Sequence, residues 1–225
     1  VKDSIKVHRG IESYFDNILR HINKQDIVLT QNTISEIGFQ YTELPFLKNN
    51  VKLTGYFQSE KYFKEYENEI KELFSCPDYI HESINKRFPY MNETESCSIH
   101  VRRGDYVNLQ DIHPVQDMPY FMKSLKNIPK DCSIFVFSDD IEWCKNSFPD
   151  MGERIHFVEG YSDIEDFYLM SKCDHNIISN STFSWWAAWL NDNPEKIVLA
   201  PKKWFGPTNS HLNTNDIYPD KWIKI

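Results

Sequence analysis

The sequence predicts an α/β protein whose C-terminal half, residues 97–225, is built on a parallel β-sheet covered by helices on both faces. Three observations predict it. From Cys97 onward, short β-branched apolar runs alternate with helical patterns, as the strands and crossover helices of a parallel sheet do. Several of those runs end in polar clusters, and in open α/β sheets ligands bind outside the carboxyl ends of the strands. The chain of 225 residues also carries 15 Phe, 12 Tyr and 6 Trp, enough for a sizeable core in one large or two small domains.

Taken in order, residues 9–23 place Ile11, Tyr14, Phe15, Ile18, Leu19 and Ile22 at helical spacing, and residues 26–30 read as a strand. Residues 31–50 are polar and irregular, and 51–54 alternates like a half-buried strand. Ser59 is positioned to cap a helix bearing Tyr62, Phe63, Tyr66, Ile70, Leu73 and Phe74, stopped by Pro77; a shorter helix is expected over 78–87. Strands follow at 97–101, 133–137, 155–158, 176–178 and 197–199, with helices at 118–127, 140–147, 163–172 and 182–190. Ser162 and Glu165 have the spacing of a capping box. Residues 201–225 are expected to pack back through Trp204, Phe205 and Trp222. The chain therefore divides into an N-terminal region, 1–96, and a ligand-binding domain with a C-terminal tail, 97–225.

Composition narrows the function. A formal net charge of -8 argues against a nucleic-acid partner. Five cysteines with no C-x-x-C pair offer neither a disulfide framework nor zinc-ligand spacing, which suits a cytosol-like compartment. No apolar run approaches about 18 residues and nothing reads as a signal peptide, so a cytoplasmic or membrane-peripheral location is expected.

The strand over 97–101 runs into Arg102-Arg103-Gly104-Asp105, fixed charge at a sheet edge. Arginine's planar fork matches phosphate oxygens, and Gly104 permits a sharp turn or a close approach. A surface turn with an Arg–Asp ion pair is the plain alternative. Alternation puts His100 on one face with Arg102, and Val101 and Arg103 on the other. The strand over 133–137 ends in Ser138-Asp139-Asp140, readable as a divalent-metal site or as an acidic first helical turn; the second is preferred. Ser181, Thr182 and Ser184 open the helix over 182–190, where hydroxyls and free N–H groups suit a phosphate, although any one of them could be a simple N-cap. The tryptophans that follow read as core, and Asn180, within an Asn-Ser-Thr sequon, is expected to be buried. Asp166 is either a solvated helix residue or, beside a guanine, the acceptor for its N1–H and 2-amino donors, which would select GDP over UDP or ADP.

His100-Val101-Arg102-Arg103-Gly104-Asp105-Tyr106 resembles the HxRRxD motif of the alpha-1,2-, alpha-1,6- and protein O-fucosyltransferases. The stretch from Gly55 to Phe63, Asp166 to Ser171, and Ile178 to Leu190 resemble the alpha-1,2 branch, glycosyltransferase family 11, in the family's order across roughly residues 36 to 225. The resemblance implies a GT-B-like fold of two Rossmann-type halves, the C-terminal one binding GDP-fucose. It implies an inverting transfer of L-fucose to O2 of a terminal galactose on a glycan, with no metal and no resident cofactor. By motif position, Arg102 binds the β-phosphate with His100 and Asp105 beside it, Asp166 reads guanine, and Ser181 and Thr182 contact the phosphates; Asp105 is the nominated base. From their places at the strand ends and the helix start, Arg103, Ser138, Asp139 and Ser184 are counted with the donor site. The family's glycine-rich G-G-L-G-N-Q segment has no counterpart here, so the N-terminal half is expected to be shortened or divergent, or the chain part of a longer polypeptide. Two other readings stand beside this one: a non-catalytic GDP-sugar-binding module with a degenerate acceptor half, and a transferase for another donor.

Overall fold

A computed structural model describes residues 33–44 and 51–225. The helix expected over 9–23 and the strand over 26–30 lie outside the described residues. In chain order the elements are β1 (Thr33–Ser35), β2 (Lys52–Thr54), α1 (Glu67–Leu73), α2 (Asp78–Arg87), β3 (Ser96–Val101), α3 (Met118–Leu125), β4 (Ser133–Ser138), α4 (Ile141–Ser147), β5 (Ile155–Phe157), α5 (Asp163–Lys172), β6 (His175–Ile177), α6 (Thr182–Leu190), β7 (Val198–Ala200) and β8 (Ile223–Lys224). Strands β3 to β8 form one sheet in the order β5-β4-β3-β6-β7-β8. Every neighbouring pair in it is parallel.

This order is doubly wound. The chain steps outward from β3 through β4 to β5, returns to lay β6 on the other side of β3, and steps outward again. The reversal leaves a crevice beyond the carboxyl ends of β3 and β6. Each strand alternates between two apolar layers. Cys97, Ile99, Val101, Ile134, Val136, Ile177 and Leu199 face Tyr120, Phe121, Cys144 and Phe148 on one side. Phe135, Phe137, Val198 and Ala200 face α5, α6 and the tail on the other. Between β3 and β6 the second layer is polar but satisfied: Asn176 Nδ2 donates to Ser98 Oγ (2.8 Å) and to the Met170 carbonyl (2.8 Å), while Asn191 Nδ2 donates to Asn176 Oδ1 (2.8 Å).

Local patterns carried the helices well. Ser162 and Glu165 close the capping box that opens α5, Asp117 caps α3 and Asp140 caps α4. Three expectations are corrected. Ser59 does cap, but it opens a 3-10 turn over Glu60–Tyr62 that breaks at Phe63 (φ -142°, ψ 7°), and α1 begins only at Glu67. The break lets Phe63 stack on Trp186 and meet Trp185 and Trp189 edge-on, so packing overrides the helical period. Strand β2 is exposed rather than half-buried, with Leu53 at 43 %. Strand β8, two residues long, shows no period, and the tail was expected only to pack back. It does that too: Trp204 and Trp222 are buried.

Residues 60–91 have no core of their own. Ile80, Ile84 and Met91 join the cluster shared by α5 and α6, as does Phe39. All five cysteines are free thiols. Among the described residues no helix is long and apolar enough to cross a membrane.

Candidate functional site

The crevice is built where β3 and β6 diverge. Ser179, two residues past β6 and fully buried, donates its hydroxyl to the His100 carbonyl (2.6 Å) and accepts from the Arg102 N–H (3.2 Å). One side chain thus replaces the ladder bonds lost at the opening and sets the backbone from which Arg102 projects. Ser179→Ala strands both groups in a buried site, and chemical denaturation should show a stability loss of about 1–3 kcal/mol.

A cleft of about 1070 Å³ lies over this opening. His100, Arg102, Asp105, Ser138, Asp139, Asp166, Ser181 and Thr182 line it. The Arg102 guanidinium pairs with Asp105 Oδ1 (2.6 Å) and Asp139 Oδ2 (2.7 Å) and sits 5.2 Å from the centre of the Tyr106 ring. Asp139 is held in turn by the Arg103 N–H (2.8 Å). A Cβ at Gly104 would collide with the Asp139 carboxylate, so this carboxylate can reach the turn only over glycine.

Arg103 is corrected. Its guanidinium points to the opposite side of the sheet, 4.0 Å from the centre of the Trp143 ring and paired with Asp140 (3.0 Å). Consecutive residues of an extended chain alternate faces, so the adjacent arginines cannot both serve one ligand. Arg103→Ala should lower the melting temperature, a loss of about 1–2 kcal/mol from stacking and pairing, while GDP affinity measured by calorimetry stays near its original value. Asp140 caps α4 and pairs with Arg103, as the acidic-turn reading expects of at least one of the two, whereas Asp139 is taken up by the Arg102 guanidinium and the Arg103 N–H. Among the described residues no group of three or more His, Cys, Asp and Glu is placed to hold a metal ion.

The start of α6 contributes differently from those of α3, α4 and α5. Ser181 is its N-cap, yet its side chain makes no capping bond. The first N–H groups of α6 therefore lack the side-chain acceptor that Ser162, Asp117 and Asp140 supply to their helices, and an anion can take that place. Ser181 and Thr182 line the cleft; Ser184 does not. It is buried and donates to the Ser181 carbonyl (3.3 Å), because one helical turn carries it beneath the surface. Ser138 accepts the Asp140 N–H (2.9 Å) at the cleft wall. Asn180 is buried as expected: it donates to the Trp204 carbonyl (3.0 Å) and accepts from Gln116 (3.0 Å).

Among the described residues, four that line the cleft carry a buried polar atom with no hydrogen-bond partner: Gln58 Oε1, His100 Nδ1, His113 Nδ1 and Asp166 Oδ1. Folded proteins seldom leave such groups unpaired, and their gathering around one cleft points to a ligand that completes them. Burial lowers the His100 pKa to about 4, so the ring is neutral. Burial, with help from Glu165 and Asp163, raises Asp166 to about 7. Such a carboxylate asks for paired donors.

Sequence reasoning missed the opposite wall. Phe39, Tyr56, Gln58, His113 and Phe205 all line the cleft. They come from four separated segments, and none has a periodic signal. The segment around His113 is seated on the tail at Gly206, where the Gly206 N–H donates to the Ile112 carbonyl (2.9 Å) and a Cβ would strike the Gln110 and Asp111 backbone.

Residues 16–225 match the family described as glycosyl transferase family 11. The chain is 36% identical over 188 residues to an Alpha-1,2-colitosyltransferase of Escherichia coli, covering 80% of this chain and 64% of that protein. It is 32% identical to the O-antigen biosynthesis glycosyltransferase WbnK of Escherichia coli, across 93% of this chain and 76% of that protein. It is 28% identical to Galactoside alpha-(1,2)-fucosyltransferase 1 of Bos taurus, over 62% of this chain and 43% of that one. The chain thus spans 64% of the first relative's length and 43% of the bovine relative's.

Proposed function

The chain belongs to glycosyl transferase family 11, and on that premise we propose that it moves L-fucose from GDP-fucose to O2 of a terminal galactose on a glycan, inverting the anomeric carbon without a metal or resident cofactor. The observation that carries this reading is the Arg102 guanidinium, set in the cleft with Ser181 and Thr182 at the start of α6.

In this reading the diphosphate lies between Arg102 and the first N–H groups of α6. As the bond from the anomeric carbon to the β-phosphate oxygen breaks, negative charge grows on that oxygen. A fixed guanidinium there stabilises the transition state more than the ground state. Asp139 and Asp105 hold the guanidinium before the donor arrives, so it spends little on ordering itself. Asp105 engages Arg102 through Oδ1, and its second oxygen is our nominee for the proton of the attacking hydroxyl. The new C–O bond forms opposite the departing phosphate, and GDP leaves with the electron pair. Asp166 accepts the two guanine donors, and the neutral His100 ring lies beside the nucleotide.

Galactose enters as the acceptor from the bovine relative's name, and fucose from the same source. The identity to the colitosyltransferase supports a second reading, a colitosyl donor, which lacks the 3-hydroxyl of fucose. Incubation of the full chain with GDP-fucose or GDP-colitose and lactose, followed by NMR of the product linkage, tests both. Fucosyl transfer to O2 of galactose is the expected outcome. Preference for the colitosyl donor would support the second reading, and GDP binding without any turnover would make the chain a non-catalytic module.

A further inference from the structure

The cleft has two unlike walls. One is the charged wall at the ends of β3, β4 and α6. The other is an aromatic arc that begins under the Arg102 guanidinium and runs to the mouth. Tyr106 stacks on His113 (4.8 Å, 15°), His113 leans on Phe205 (5.9 Å), Phe205 meets Phe39 edge-on (4.9 Å), and Phe39 touches Tyr56 (5.6 Å). The arc is anchored: Tyr106 donates its hydroxyl to the Asn180 carbonyl (3.3 Å), and the Glu36 carboxylate accepts the Tyr56 N–H (2.8 Å). Its outer end is open to water, since Tyr56 is 75% exposed, while its neighbour Phe39 is buried behind it.

Core packing accounts for Phe39, which belongs to the core cluster, but not for the exposed outer end of the arc at Tyr56. A ring held by a backbone anchor at a cleft mouth, with most of its surface in water, is the geometry of a platform rather than of a core residue. The cleft, about 1070 Å³, has Arg102, Ser181 and Thr182 on one side and the aromatic arc on the other, so a diphosphate against the charged wall faces the rings across it. Gln58 Oε1 and His113 Nδ1, both without partners, flank the same wall and need hydroxyl or N–H donors. An uncharged ring with apolar C–H faces and many hydroxyls supplies both.

We propose that the arc from Tyr106 through His113, Phe205 and Phe39 to Tyr56 is the acceptor subsite, where a pyranose stacks its C–H face on aromatic rings and offers a hydroxyl toward Arg102. This rests on the donor reading above for its direction, with the diphosphate on the opposite wall. It assigns the acceptor a class, a neutral glycan bound through its ring faces, and assigns Tyr56 the outermost contact.

The test uses the full chain, with lactose and a set of methyl pyranosides as probes and saturating GDP present. Saturation-transfer NMR should show transfer to galactose ring protons. Tyr56→Ala should weaken the lactose interaction about 10-fold, the size of one aromatic contact, while GDP affinity stays within about 2-fold. Tyr56→Phe, which keeps the ring, should restore lactose binding, an outcome a hydroxyl-based role would not give. Because Tyr56 is largely exposed, the variant is expected to fold. Unchanged lactose contact in Tyr56→Ala, or GDP affinity falling in step with it, overturns the assignment. Absence of saturation transfer from the unaltered chain to every pyranoside also overturns it, even if GDP binds and the donor reading survives. Lactose contact in a chain that fails to bind GDP would leave the subsite standing and remove the donor reading instead.

Discussion

Arg102→Ala is expected to lower transfer from GDP-fucose by on the order of 10²–10³ in kcat, with a further loss in GDP affinity. Among the described residues that line the cleft, the alanine removes the only guanidinium. It also leaves Asp105 and Asp139 facing each other without their shared partner, and both would then repel an incoming diphosphate. Arg102→Lys should recover little. An ammonium is a point charge, whereas this site needs a planar fork that spans two carboxylates and a phosphate. Initial rates with titrated donor separate the two effects, because lost transition-state contact lowers kcat and lost ground-state contact raises KM. Near-normal turnover in Arg102→Ala would remove the mechanism.

The second large effect is expected at Asp166, and it depends on pH. Its carboxyl is half neutral near pH 7 because burial and two acidic neighbours oppose ionisation. The N1–H and 2-amino edge of guanine presents two donors to one side chain, so the bound form requires the carboxylate. GDP binding should therefore release a proton, and affinity should rise as pH is raised from about 6 to about 8. Asp166→Asn keeps the shape but loses the charge. GDP affinity should fall by about 10–100-fold, and its pH dependence and the preference over UDP and ADP should largely disappear. Calorimetry in buffers of different ionisation enthalpy checks the proton count. Stability moves the other way: with a folded pKa of about 7 above the ordinary 3.8, the folded chain holds an extra proton between those values. Stability is thus lost as pH rises from about 4 to about 7, and the Asn variant should be spared that loss. Equal affinity for GDP and UDP in the unaltered chain would end the guanine reading.

These expectations could be framed because much of the donor wall is local in the chain. Capping at Ser162, the strand-then-charge pattern at 97–103 and the hydroxyls opening α6 are set by residues one to four apart, which is the range over which periodicity and caps act. Even the separation of Arg102 from Arg103 follows from alternation, although both were assigned to the donor. Ser184 was misassigned because a count of hydroxyls at a helix start does not say which turn of the helix faces out.

What lay beyond reach joins residues far apart. Asp139 meets Arg102 across 37 positions and Arg103 across 36 only because β3 and β4 pair in register, Val101 opposite Ser138. Phe63 leaves its helical period for a tryptophan cluster more than a hundred residues away. The aromatic wall gathers Phe39, Tyr56, His113 and Phe205, none of which shares an element with another.

By itself, then, the sequence carried the alternation of strands and helices from β3 to β7, the family motifs and the residues that the proposed mechanism sets at the diphosphate. The tertiary structure alone decided which carboxylates hold Arg102, and that an aromatic surface stands opposite. The reason is physical: backbone geometry repeats over a few residues and is written locally, whereas packing brings together side chains whose only relation is the space they share.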